Sequence, residues 1–568
     1  MARPFAIALL ALFALTLPHP VPGQDVVQLG IQNRVEPPAW VRAALERDPA
    51  ALRLKRVFRP QLDSVLTQKA HFGLLGVDVG TLARDSAARL GTVMRGTLRV
   101  PVLPFLFADT PNPPYAPAVL QDKLFRPAGG SLTLTQLYRE MSRGMFAVTG
   151  TVAPWVRVKV PFDTQYTAGP PGLGDLLTQV LDEADKQIDF RGFDHNNDGI
   201  VDVVAFVQPY FGGECPRRDP PNRNVWSHEW TYGAASGDST RMYQTKDGVV
   251  ISDYVIQPAL NCDEKTPIDI GVFAHEFGHA LGLPDLYSTT YPNPMNGGIG
   301  YWGLMGYGGW NQPPSPAYME AWSRAELGWL RVLPGRSGRS YVLDPSNSAN
   351  GYALRVSLPG SHGRYLLLEN RQPLGADRHL VGSGLLVWEV DSVTIANQSA
   401  FNAVQNTTSQ RGLRLVEADG GNDLDIPWQF GDASDPYPGS LGKSELAFDL
   451  PGSNGAAVTL KNIRTLGQRV AFDLLVTTGT IAFRAPSPAP PPAPPGDTLG
   501  PLALLRFRSA LDSADFRLLR AKGFRVLRLF EASNSVFVTL PPTARGALSD
   551  IHPDLVGMTV QRRQSRPE

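Results

Sequence analysis

Three shortages bound what this chain can be. Its 568 residues include only two cysteines, Cys215 and Cys262. They carry no net charge, with 53 basic side chains against 53 acidic ones. Beyond the N-terminus there is no long apolar run. Balanced charge gives a polyanion no field to follow, so no nucleic-acid partner is expected. Without a stretch of roughly 20 apolar residues no transmembrane segment is expected either. The one apolar run, residues 5–17, is about 13 residues long, which is too short to cross hydrocarbon. It follows the start MARP and gives way to prolines and small residues before Gln24, the layout of a signal peptide over residues 1–23. The chain is therefore expected to be secreted and extracellular. Outside the cell two thiols meet an oxidising environment, so a disulfide between Cys215 and Cys262 is the simplest reading; two free buried cysteines are the other.

Apolar residues are plentiful, at 43%, with 9% aromatics, and a chain of this length is expected to divide into two or three globular units. Residues 24–95 have helical spacing, as in PAWVRAAL at 38–45, and read as a pro-segment or helical extension. From residue 96 the pattern changes. Residues 98–107 read as a buried strand despite their prolines, and 131–144 as a helix, so the first large domain is placed at 96–334. Between 335 and 480, short alternating runs such as 365–369 and 384–390, separated by Gly, Asn, Asp and Ser, suggest a β-sandwich-like domain. Residues 481–499 hold a proline-rich stretch that cannot pack a core and forms a linker. The tail, 500–568, runs strand, helix, two strands, helix, strand, the order of a ferredoxin-like βαββαβ module. It resembles the propeptide-inhibitor domains of subtilisins, and an autonomous binding or stability module is at least as good a reading. The expected class is thus multidomain α+β, the first large unit being a mixed sheet with an active-site helix.

The chemistry is concentrated in residues 275–279, HEFGH. Thr266 offers an N-cap hydroxyl, Pro267 a first-turn proline and Asp269 a first-turn carboxylate, so a helix is expected to start there. Four residues is just over one turn, so His275 and His279 share a face and can converge on one zinc ion. Glu276, beside the first of them, can reach a water at the metal. Gly282 stands where the helix must end and reverse, and Asp285 follows. The pattern resembles that of metzincins, with Asp285 in a third-ligand position often held by histidine. Those enzymes also need a methionine-bearing turn, and Met305 in YWGLMGY (301–307) fits it.

These segments together resemble the immune inhibitor A-like family of secreted bacterial metallopeptidases. Supporting segments are LRVPV at 98–102, LYREMSRGMF at 137–146, GTVAPW at 150–155, WSH at 226–228, AWSRAELGW at 321–329 and LLENRQ at 367–372. The resemblance implies a zinc endopeptidase with His275, His279 and Asp285 as ligands and Glu276 as general base. Protein or peptide substrates and a monomer are expected. Tyr307, two residues after Met305, stands where some metzincins present a tyrosine to zinc or to an oxyanion; an aromatic packing role suits its surroundings equally. A turn-forming or histidine-orienting role is the alternative for Asp285. The resemblance also implies a latent zymogen, yet residues 25–95 contain no cysteine, so a cysteine-switch latch is excluded.

Residues 194–202, DHNNDGIVD, place Asp194, Asn196, Asp198 and Asp202 at the first, third, fifth and ninth positions of an EF-hand-like loop, with Gly199 at the sixth, and calcium is expected there. The twelfth position is Ala205, so the bidentate glutamate is missing, and a solvated turn is the alternative. The competing reading for the whole chain is a secreted binding or adhesion protein with a vestigial or structural metal site.

Overall fold

The computed structural model describes residues 95–477, apart from 127–130, 163–170, 196, 198, 214, 216–223, 226, 239–240, 291–295, 360, 362, 400–401, 408–410 and 450–456, and then residues 502–507, 518–519, 521–522, 524–530, 535–539 and 555–561. The expected signal peptide, pro-segment and proline-rich linker lie outside the described residues.

The first sheet is built on β1 (Gly96–Leu106), the strand expected from its apolar run. Its side chains alternate in destination, as period-two geometry requires. Leu98, Val100 and Val102 enter one core, while Leu103, Phe105 and Phe107 enter another on the opposite face. A strand buried on both faces reads as a near-continuous apolar run, and parallel pairing goes with it. β1 pairs in parallel with β2 (Phe146–Val152) and with β3 (Val204–Phe211). Next in line come β5 (Asp253–Leu260), parallel to β3, and the antiparallel edge strand β4 (His228–Thr231). The sheet is therefore mixed.

Helices cover both faces. α2 (Gly172–Ala184) lays Leu173, Leu176, Leu177, Val180 and Leu181 on the Phe105 side. α1 (Leu134–Met141) and α3 (Ile270–Ala280) lie on the Val100 side. α1 begins within the expected span because Thr133 and Gln136 form a reciprocal capping box that satisfies two orphan N–H groups.

α3 starts three residues later than its sequence signals suggest, at Ile270 with Asp269 as N-cap. Asn261 N–H bonds to Thr266 O and Ile268 N–H to Ala259 O, so the segment folds back on the end of β5 before turning helical. Asp269 is the N-cap by backbone geometry, but its carboxylate accepts from Lys123 Nζ at 2.7 Å and from Asn261 Nδ2 at 3.1 Å instead of capping. A hairpin-like return has claimed the donors and acceptors that the cap reading assigned to the helix.

Residues 332–477 form two sheets facing each other. One comprises β6 (Val332–Pro334), β8 (Ala353–Ser357), β9 (Arg364–Arg371), β10 (Gly384–Asp391) and β11 (Leu413–Leu415), in that order. The other runs β7 (Arg339–Leu343), β14 (Arg469–Thr477), β13 (Ala457–Leu466), β12 (Leu446–Asp449). Leu366, Leu368, Leu385 and Val387 of the first share a core with Val458, Leu460, Val470 and Phe472 of the second. The alternate residues Leu367, Leu386, Trp388 and Val390 point the other way, into the core that also holds Val100 and Phe277. The five-stranded sheet is thus a middle layer, and the metal-helix side of the molecule rests on it.

Farther along, β15 (Leu502–Phe507), β16 (Arg525–Phe530), β17 (Ser535–Thr539) and β18 (Leu555–Gln561) make a further, wholly antiparallel sheet in the order β16-β17-β15-β18. The helix expected over 543–551 lies outside the described residues. No helix among the described residues is long and apolar enough to cross a membrane.

Candidate metal centre

α3 is buried on every side, all eleven of its residues being buried, so a polar group on it must find partners. His275 is fully buried and His279 is 8% exposed. Each satisfies its Nδ1 on the main chain: His275 on Leu304 O at 2.7 Å and His279 on Leu283 O at 2.8 Å. A carbonyl oxygen only accepts, so both Nδ1 atoms carry a proton, and in the neutral imidazole both Nε2 atoms keep a lone pair. Those two Nε2 atoms face one oxygen. Asp285 Oδ1 lies 3.1 Å from His275 Nε2 and 3.3 Å from His279 Nε2.

Two nitrogen lone pairs turned on a buried carboxylate repel one another unless a proton or a cation lies between. The separations fit a cation. Ligands at about 2.0 to 2.1 Å in a tetrahedral shell sit roughly 3.3 Å apart. All three donor atoms lie within 4.8 Å of one another and are buried. The donor set, two imidazoles and a carboxylate, suits zinc.

The elements around the triad explain its position. Gly282 ends the helix at φ +89° with open space where a Cβ would stand, so the requirement is for backbone conformation alone. The reversal carries Asp285 back over the histidines. Leu286 N–H then bonds to Met305 O at 2.8 Å, tying the Asp285 turn to the methionine turn. Met305 lies directly under the helix: a Cβ on Gly278 would meet its Sδ at 2.3 Å. Glycine between the two histidines is what lets the sulfur approach.

Glu276 is fully buried in the same helix. Tyr138 on α1 donates its hydroxyl to Ala274 O at 2.6 Å, and its pKa is pushed far up by burial and then by the charge of Glu276, which places that carboxylate in the same electrostatic neighbourhood. Tyr307 is 1% exposed and packs between Tyr287, at 5.3 Å between ring centres, and Phe430, at 4.2 Å. Burial raises its pKa first, with Asp285 and then Tyr301 adding to it. The phenol is neutral and lies within the field of Asp285.

No motif announces Asn402. It lies 117 residues beyond Asp285, yet its Nδ2 donates to Asp285 Oδ2 at 2.6 Å and its Oδ1 accepts from Asp285 N–H at 2.7 Å. Asn406 repeats the device on Thr289, at 2.8 Å to both its N–H and its hydroxyl. Both belong to the segment between β10 and β11, so the region of the two facing sheets reaches over to orient the third ligand. Two asparagines in an irregular loop carry no periodicity or motif that could have announced them.

Elsewhere, Cys215 and Cys262 form a disulfide, joining the segment after β3 to the end of β5. Of the loop expected to hold calcium, Asn196 and Asp198 lie outside the described residues. Asp194 Oδ2 accepts from Gly199 N–H at 2.9 Å, the closing bond of such a turn. Asp202 is buried and meets His195 Nδ1 at 2.6 Å.

Residues 115–331 match the family described as the immune inhibitor A peptidase M6 catalytic domain. Immune inhibitor A of Bacillus thuringiensis subsp. alesti is 30% identical over 205 residues, which are 31% of this chain and 28% of that protein. The pre-pro-metalloprotease PrtV of Vibrio cholerae serotype O1 is 28% identical over 231 residues, 34% of this chain and 24% of that protein. The chain therefore matches only about a quarter of the length of these curated relatives. The resemblance to immune inhibitor A read from the sequence is borne out over the segment that contains the metal centre.

Proposed function

We propose that this chain is a secreted zinc endopeptidase in which His275, His279 and Asp285 hold the ion and Glu276 is the general base. The observation that carries the reading is the convergence of two Nε2 lone pairs on Asp285 Oδ1 in a buried site, at 3.1 and 3.3 Å. Zinc bound there supplies Lewis acidity, which polarises a peptide carbonyl and makes a water acidic near neutral pH. Glu276 takes the proton from that water and later returns it to the leaving amine. Met305 supports the helix from below, and Tyr307 donates a hydrogen bond to the developing oxyanion. Asn402 keeps Asp285 turned toward the histidines.

The wider reading follows from this one. Residues 96–334 are taken as metzincin-like, and residues 500–568 as a ferredoxin-like module, supported by the antiparallel order of their sheet. Residues 1–23 direct export, and the 194–202 loop takes calcium. Substrates are proteins or peptides.

The test is casein digestion by the purified chain, with and without a zinc chelator, beside Glu276→Ala, with bound zinc measured in both proteins. Glu276→Ala is expected to keep its zinc and lose activity by at least about 10²–10⁴-fold. Equal digestion by both proteins, or indifference to chelation, overturns the enzymatic reading and leaves the binding or adhesion one.

A further inference from the structure

The second group of converging ligand atoms lies in the segment after β11. Glu417, Asp419 and Asp435 each offer a carboxylate oxygen, and the three oxygens lie within 4.8 Å of one another. Glu417 is 4% exposed and Asp435 is 1% exposed. Like charges this close and this dry cannot all remain ionised without a counter-charge.

The surrounding groups supply hydrogen bonds but little positive charge. Glu417 accepts from Asp423 N–H at 2.6 Å and Leu424 N–H at 3.2 Å. Asp419 accepts from Gly421 N–H and from Ser434 Oγ, both at 2.8 Å. Asp435 Oδ2 accepts from Trp302 Nε1 at 2.7 Å and Asp432 N–H at 2.9 Å. Asp435 Oδ1, by contrast, is buried and meets no hydrogen-bond partner among the described residues. Arg411 feels the field of Glu417, yet its guanidinium is spent on Asp425 and on Leu424 O. The fold thus holds three carboxylates in fixed orientations, one of them with an oxygen it does not use.

We propose that Glu417, Asp419 and Asp435 form a second metal site, for a hard divalent cation of the calcium class. The donors are all oxygen, with no histidine or cysteine, which favours calcium over zinc. Main-chain carbonyls and water complete the coordination.

The site is distinct from the 194–202 loop and has a structural consequence of its own. The loop it closes donates Phe430, whose ring packs on Tyr307 at 4.2 Å and whose carbonyl accepts from Tyr301 N–H at 2.8 Å. Leu424 O accepts from Gly297 N–H at 2.9 Å. With Asp435 bonded to Trp302, the ion fastens residues 417–435 against the methionine turn.

The zinc-loaded chain, freed of calcium by a calcium-selective chelator, is titrated with calcium by calorimetry and with terbium by luminescence excited through tryptophan, for which Trp302 is the adjacent antenna. An Asp194→Ala/Asp198→Ala variant, which removes the other candidate loop, is expected to bind one calcium and to show terbium emission that calcium displaces. Adding Asp419→Asn, at the partly exposed ligand, is expected to weaken both at least tenfold with the circular dichroism spectrum unchanged. Calcium is also expected to raise Tm in the Asp194→Ala/Asp198→Ala protein. If that protein takes up no calcium, or if Asp419→Asn and Glu417→Gln both bind it as the parent does, the site does not exist.

Discussion

Gly278 and Asn402 show what single residues contribute that a motif does not state. In HEFGH the glycine looks like filler between ligands, but a Cβ there would press on Met305 Sδ at 2.3 Å, with Met305 Cε at 3.1 Å and Met319 Cε at 3.2 Å behind it. Alanine gains about 1 kcal/mol of helix propensity over glycine. Overpacking a closed core costs about 1–3 kcal/mol. Met305 and Met319 are both fully buried, so the second effect wins, and Gly278→Ala is expected to lower Tm, as measured by thermal unfolding of the zinc-loaded protein. Asn402 acts on Asp285 through two hydrogen bonds, at 2.6 and 2.7 Å. Removing a partner that orients a ligand typically costs 10–100-fold in metal affinity. Asn402→Ala is therefore expected to lose about that much zinc affinity in a competition titration against a chromophoric chelator, while Asn402→Asp, which keeps the shape and adds a like charge beside Asp285, is expected to lose at least as much. Unchanged affinity in Asn402→Ala removes the positioning role.

At the scale of elements, the deciding feature is how α3 is entered and left. It leaves through Gly282 in the left-handed region, as its sequence position implied. It enters through a return from β5 that competes with the helix for the same backbone groups, and that competition is invisible to a residue-by-residue reading of caps. The return is also where the disulfide is placed. Cys215 and Cys262 are 47 residues apart, and closing a loop of that length removes unfolded-state entropy worth about 4 kcal/mol. The Cys215→Ser/Cys262→Ser chain is expected to unfold at distinctly lower denaturant concentration than the parent, with the difference vanishing when the parent is reduced. An equal midpoint in the oxidised parent and the variant contradicts this.

Across the whole molecule, the five-stranded sheet is what makes one body of two sequence regions. β9 carries Glu369 and Arg371 into the seam between them, both 0% exposed. Arg371 bonds to Asp377 at 2.7 and 3.0 Å and to Trp302 O at 3.1 Å, just ahead of Met305. Glu369 accepts from Arg324 at 3.0 Å, from Trp388 Nε1 at 2.8 Å and from Ala321 N–H at 3.0 Å. Burial alone would raise the Glu369 carboxyl, but Arg371 and Arg324 outweigh it and hold it below the usual range. Removing one partner of such a buried pair strands the other charge and costs about 3–5 kcal/mol. Arg371→Met is expected to lose that much stability in denaturant unfolding, and the Asp377→Asn companion change is expected to restore part of it; a variant as stable as wild type refutes the coupling of the two regions through this network.

What the sequence determined by itself was local: the strand at 98–107, the helix near 134–141, the paired histidines, the glycine exit and the methionine turn each follow from spacing or from one residue's backbone freedom. The LLENRQ and AWSRAELGW segments were legible as a resemblance, but their physical reason, the buried network of Arg324, Glu369 and Arg371, was not. The place of Asp285 after the glycine exit was legible too; tertiary structure alone decided that Asn402 holds it there and that Glu417, Asp419 and Asp435 converge. Those contacts join residues 117 and 18 positions apart, and no period of helix or strand relates them; only the packing of the 392–435 segments against the turns after α3 brings them within a few ångströms.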